Sequence, residues 1–134
     1  MTPSLGEVLQ YQNEQVLAHF RNKHSDYSVQ SSQQLFQDLL AWMWLAQQRN
    51  ILGKKSYLFG PLLIVDDMWH SFILHTRDYV QFSTTYFGDY FHHEVEPDGM
   101  EHVLDEDEIR DFLEDCYQYL GEGWVERRFS EALV

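Results

Sequence analysis

The stretch from residue 35 to residue 44 constrains this chain most. Leu35, Phe36, Leu39, Leu40, Trp42, Met43 and Trp44 recur at helical spacing but cover more than one face of a helix. A helix that is apolar on several faces cannot lie on a surface; it has to be surrounded. The sequence therefore predicts a central buried helix, opened by Ser31-Ser32-Gln33-Gln34 and closed near Asn50, with Gly53 just beyond. The remaining segments must wrap around it. With 134 residues, 44% of them hydrophobic, the chain holds enough material for one domain and a real core.

The wrapping segments read as helices too. Ser4-Leu5-Gly6-Glu7 has the form of a capping box, and Leu5, Val8, Leu9, Val16, Leu17 and Phe20 follow at helical spacing. Residues 21–30 are polar and read as a loop. Residues 54–65 contain the turn signal Gly60-Pro61 and then Leu62-Leu63-Ile64-Val65, which reads as an extended connector. A third helix opens at about Asp66 and carries Met68, Trp69, Phe72, Ile73, Tyr79, Phe82 and Tyr86, with Thr76 marking a kink or restart and Gly88 a stop. After a loop through Pro97-Asp98-Gly99, Asp105-Glu106-Asp107-Glu108 opens a fourth helix, its acids placed at the positive end of the dipole. Ile109, Phe112, Leu113, Cys116 and Leu120 form its stripe, and Trp124, Val125 and Phe129 a short last helix. The expected architecture is all-α: one helical domain over residues 1–134, a small bundle of about five helices with an extended connector near 54–65.

Charge is distributed unevenly. Residues 1–93 carry a net charge of −2, residues 94–122 carry −11, and residues 123–134 balance. A general nucleic-acid binder needs cations to displace the counterions of the phosphates, so at a net charge of −13 that class is not expected, and an anionic membrane surface is disfavoured for the same reason. The longest apolar stretches fall far short of the ~20 residues needed to span a bilayer. The N-terminal segment lacks a basic region followed by an apolar one, so a cytoplasmic location is expected. One cysteine, Cys116, leaves no disulfide framework and no multi-cysteine zinc site. Flanked by Glu114 and Asp115 on an apolar stripe, it has the opposite of a nucleophile's surroundings.

The strongest chemical signal is Asp66-Asp67-Met68-Trp69-His70. On a helix, Asp66 and His70 stand at i and i+4, and Asp67 and His70 at i and i+3, so each pair can meet. A carboxylate beside an imidazole suits metal ligation, the orienting of a working histidine, or simply the satisfaction of a buried ring. His92-His93-Glu94 follows some twenty residues later. A chain reversal at Gly88 would return His92 or His93 to the Asp66/His70 face, giving two imidazoles and one or two carboxylates, a donor set for iron, manganese or zinc. The plainer alternative is equally open: Asp66 as a helix N-cap and His70 as a core histidine. The sequence offers no separate general base beyond a candidate, Glu94. His75 lies on another helix face, and His19, His24 and His102 sit in polar surroundings.

The order Gly60-Pro61-Leu62, Asp66, Trp69-His70, Tyr79, Tyr86-Phe87-Gly88 and His92 resembles the core of the glycine-rich-domain-protein-like family, over about residues 58–95. That family's pattern has W-H-x-H where this chain has Trp69-His70-Ser71-Phe72. If the second histidine binds metal in relatives, the resemblance implies that this chain has lost a ligand or recruited His75. It implies a fold and a site, and no agreed activity.

Other chemistry has no local support. There is no phosphate-binding glycine loop, no dinucleotide fingerprint and no H-E-x-x-H; the acidic run lacks the ligand spacing of an EF-hand, and Ser71 does not face its neighbour His70. The acidic segment 94–122, with Asp105, Glu106, Asp107 and Glu108 at its helix start, reads either as a solvated face or as a docking site for a basic protein. In Tyr86-Phe87-Gly88-Asp89-Tyr90-Phe91, four aromatics fall in six residues, so Tyr90 and Phe91 are candidates to line a pocket or an interface. The sequence thus supports a helical domain with a His/Asp pocket for a metal or small ligand, or alternatively a non-enzymatic interaction module.

Overall fold

A computed structural model describes residues 3–93 and 105–130. Among them the chain forms seven α-helices and no strand: α1 Leu5–Leu9, α2 Glu14–Lys23, α3 Val29–Ile51, α4 Leu63–Leu74, α5 Thr76–Phe87, α6 Glu106–Asp115 and α7 Glu122–Phe129. A single 3-10 turn, Gly60–Leu62, leads into α4, and a π turn, Cys116–Leu120, follows α6. No helix among the described residues is long and apolar enough to cross a membrane.

Helix α3 is the expected central element. Eleven of its 23 residues are buried, including Leu35, Phe36, Leu39, Leu40, Trp42, Met43 and Leu45. It starts three residues earlier than expected, because Ser28 caps it and Ser31 closes the capping box from inside. Helices α1, α2 and α4 and the π turn pack around it. Each of the four tryptophans uses its indole N–H as a tie to another segment. Trp42 donates to the Tyr57 carbonyl, Trp44 to the Pro3 carbonyl, Trp124 to the Asp38 carbonyl and Trp69 to the Tyr79 hydroxyl, at 2.9–3.1 Å.

Two segments that read as one helix each are broken in two. The first breaks at Asn13, which caps α2 through Oδ1 on the Val16 N–H and sends its amide nitrogen to Asp78 at 2.9 Å. Helix α2 then runs on to Lys23, into the stretch expected to be loop. The third breaks at His75. Its ring Nδ1 lies 2.8 Å from the Ser71 carbonyl, and its own N–H turns instead to Phe72. A side chain that takes the i−4 carbonyl ends the ladder there. The restart expected at Thr76 is the start of α5, and Gly88 stops it at φ 80.

The connector is shorter than expected. Helix α4 begins at Leu63, so Asp66 sits inside its first turn and is not its N-cap. The stripe running through Cys116 and Leu120 is likewise two elements, α6 and the π turn.

Two buried charges on α3 hold the acidic C-terminal part. Asp38, 1% exposed, lies within 2.8–3.2 Å of both Arg127 and Arg128. Arg49, 3% exposed, donates to the Lys55 carbonyl, pairs with Asp111 and Asp115, and lies over the Phe112 ring. Removing one partner of a buried pair strands the other. Asp38→Ala is therefore expected to cost about 3 kcal/mol in urea unfolding. Glu14→Ala, which breaks the exposed pair with Arg21, should cost under about 1 kcal/mol.

Candidate metal centre

The Asp66 carboxylate is the hub of the only three-residue group among the described residues whose side chains could hold a metal. The others are His70 and His93, and the candidate ligand atoms all lie within 4.8 Å of one another. One carboxylate oxygen stands 2.6 Å from His93 Nε2 and the other 3.3 Å from His70 Nε2. The two imidazole centres are 4.9 Å apart. Asp66 and His93 are largely enclosed, while the His70 side chain is 55% exposed, so the group opens to solvent on that side.

Helix geometry supplies the first two residues, since Asp66 and His70 are one turn apart on α4. His93 needs a separate device, because residues 89–93 follow α5 without regular structure of their own. A chain of hydrogen bonds holds them on α4. Trp69 Nε1 donates to the Tyr79 hydroxyl at 2.9 Å, and that hydroxyl donates to the Phe91 carbonyl at 2.5 Å. Burial pushes the Tyr79 hydroxyl up to about 12, against the lowering effect of the Trp69 bond, so it stays a donor. Phe91 packs on Trp69 and Phe87, and the Trp69 ring lies 4.1 Å from the His93 ring.

The electrostatics suit a ligand. Burial alone would raise the Asp66 carboxyl, but the His93 hydrogen bond and the charges of His70 and His93 outweigh it and hold the carboxyl below its ordinary range. The carboxylate is thus anionic at neutral pH, as a metal ligand has to be.

The structure divides the sequence candidates. Asp66, His70 and His93 come together. Asp67 turns away, 48% exposed and 3.7 Å from His24. His92 is exposed and packs on Tyr90. His75 is not recruited to the group: its ring faces His19. Phe72, in the place of the resembling family's second histidine, is fully buried among Tyr11, Phe36, Tyr79 and Phe82. Tyr90 and Phe91 are half-buried against Tyr79 and Trp69. Asp105 caps α6, Glu108 accepts from the Tyr57 hydroxyl at 3.1 Å, and Glu106 and Asp107 project into solvent beside Arg110. Glu94, His102, the residues Pro97-Asp98-Gly99 expected to form a loop, and the start of the 94–122 segment lie outside the described residues. Cys116 is buried, and burial, opposed by Arg49, pushes its thiol up to about 12, which leaves it inert.

The sequence reasoning missed one polar cluster. Asp67 and Ser71 of α4 and His75 just past its end, at i, i+4 and i+8, meet His24 just past the end of α2 and His19 within it. The spacing was readable; the partner helix was not.

The profile of the UCP032817-like family matches residues 7–118, most of the chain, and the chain belongs to that family. No curated protein and no solved structure matches it. The likeness to the glycine-rich-domain-protein-like family rests on the motif alone.

Tyr79 is the positioning residue of this arrangement. Tyr79→Phe keeps the ring and removes both hydrogen bonds of its hydroxyl. It is expected to cost about 1–3 kcal/mol in thermal or urea unfolding. It should also accelerate amide exchange at residues 90–93 ahead of the α3 core.

Proposed function

We propose that this member of the UCP032817-like family is a metal-binding domain whose centre is the Asp66–His70–His93 group. The observation that carries the reading is the convergence of two imidazoles and one ionised carboxylate, from two separate segments, on one small volume. Two histidines and one carboxylate with open positions are a donor set for iron or manganese, and equally for zinc. Magnesium and calcium, which take oxygen ligands, fit it poorly. The exposed edge at His70 leaves room for water or a small ligand in the remaining positions.

Elemental analysis of untagged protein purified without chelator tests this. Wild type is expected to carry near-stoichiometric iron, manganese or zinc. His70→Ala and His93→Ala should each lower affinity by at least the ~10–100-fold that losing an outer-shell partner costs. His92→Ala should retain the metal. No metal in wild type, even after anaerobic reconstitution with each ion, would sink the proposal and leave the group as a hydrogen-bonded clasp for residues 89–93.

A second reading concerns the acidic rim. Glu106 and Asp107 are 90% and 93% exposed on a helix anchored by its opposite face, which suits docking of a basic protein. Glu106→Lys with Asp107→Lys is expected to abolish salt-sensitive capture of such a partner and to leave metal content unchanged.

A further inference from the structure

The seam between α2 and α4 carries a second pair of imidazoles, away from the Asp66 group. His19 and His75 are both half-buried, with ring centres 5.5 Å apart and planes at 85°. Both are tied to one residue. His19 Nδ1 lies 3.0 Å from the Ser71 hydroxyl, and His75 Nδ1 lies 2.8 Å from the Ser71 carbonyl. A carbonyl only accepts, so His75 Nδ1 carries the proton and its Nε2 keeps the lone pair. The Ser71 hydroxyl is able to accept from His19 Nδ1 as well as to donate to it; in the accepting arrangement the second Nε2 also carries a lone pair. Neither Nε2 meets a protein partner among the described residues.

This is the arrangement a metal-ligating histidine needs. One ring nitrogen is fixed by a carbonyl or hydroxyl, which sets the tautomer and the ring orientation, and the other is presented outward. The spacing agrees as well. Two imidazoles that share an ion at about 2.0–2.1 Å through Nε2, at a near-tetrahedral angle, place their ring centres roughly 5 Å apart. Burial, with the charge of Lys23 beside it, lowers the His19 ring below its usual range.

We infer that His19 and His75 form a second cation site, for an ion that prefers imidazole: zinc, copper or nickel. Lys23 repels any cation here, so the binding has to come from the ring nitrogens. That excludes magnesium and calcium. Ser71 is the positioning residue, and its neighbour His70 serves the other group from the adjacent face of the same helix. The inference does not depend on the Asp66 centre.

The test is a zinc titration of the full, isotope-labelled chain, read by long-range proton–nitrogen correlation spectra of the histidine rings. The Nε2 resonances of His19 and His75 are expected to move together, from the position of a free imine nitrogen to that of a metal-bound one. His19→Ala should abolish the shift at His75, and should weaken the zinc affinity of this site by at least about 10-fold. His75→Asn keeps a donor for the Ser71 carbonyl and guards against loss of the helix break; it should abolish the shift at His19. Failure of both resonances to move overturns the inference, and so does movement of one ring alone. His70 and His93 report in the same spectra, so failure of the first site is distinguishable from failure of this one.

Discussion

A 23-residue helix with apolar side chains on several faces has to be surrounded, and α1, α2, α4 and the π turn pack around α3. The cover is not held by apolar contact alone. Four indole N–H groups anchor Pro3, the 54–59 connector, α7 and α5 to their neighbours. Two buried charges, Asp38 and Arg49, oblige the C-terminal helices to dock, because each would be stranded without its partners. A good part of the acidic C-terminal segment therefore serves the fold. Asp111 and Asp115 neutralise Arg49 and Asp105 caps α6, while among the described residues of the segment Glu106, Asp107, Glu114 and Glu122 stay exposed.

The candidate centre grows out of the same logic. Trp69 is buried against Trp42 of α3, and its N–H needs an acceptor. Tyr79 supplies one and, being a hydroxyl, has a proton of its own to place. It places it on Phe91, and that bond carries the following residues back over α4 until His93 reaches Asp66. The polar needs of two core aromatics thus deliver a third functional group to a pair that helix periodicity had already set side by side.

How much of this was legible follows from the range of each cause. Helix identity and the central place of α3 could be read, because periodicity and capping are local. The Asp66–His70 pair could be read because i and i+4 share a face whatever the surroundings. The return of a histidine from residues 92–93 was foreseen from Gly88, but the choice of His93 over His92 depends on the Tyr79–Phe91 bond, which joins segments twelve residues apart. The breaks at Asn13 and His75 were hidden for a related reason. Val8 and Leu9 stand in helical phase with Val16 and Leu17, so the apolar pattern runs straight across the break. At His75 the helix is ended by a ring nitrogen competing for one carbonyl. The Asp38 and Arg49 ion pairs span between 62 and 90 residues and left no mark in the local pattern.

Helix α4 presents its two polar clusters one residue out of step: Asp66 and His70 on one side, Asp67 and Ser71 on the next. Successive residues of a helix are turned by about 100°. A single residue inserted or deleted between the first and last of these positions would rotate one part of each cluster onto the other's face, while Met68 and Phe72 would leave the core. The length of this segment is therefore as tightly determined as its composition. Sequence drift in α4 has to proceed by replacement, and changes in length are confined to the connectors that flank it.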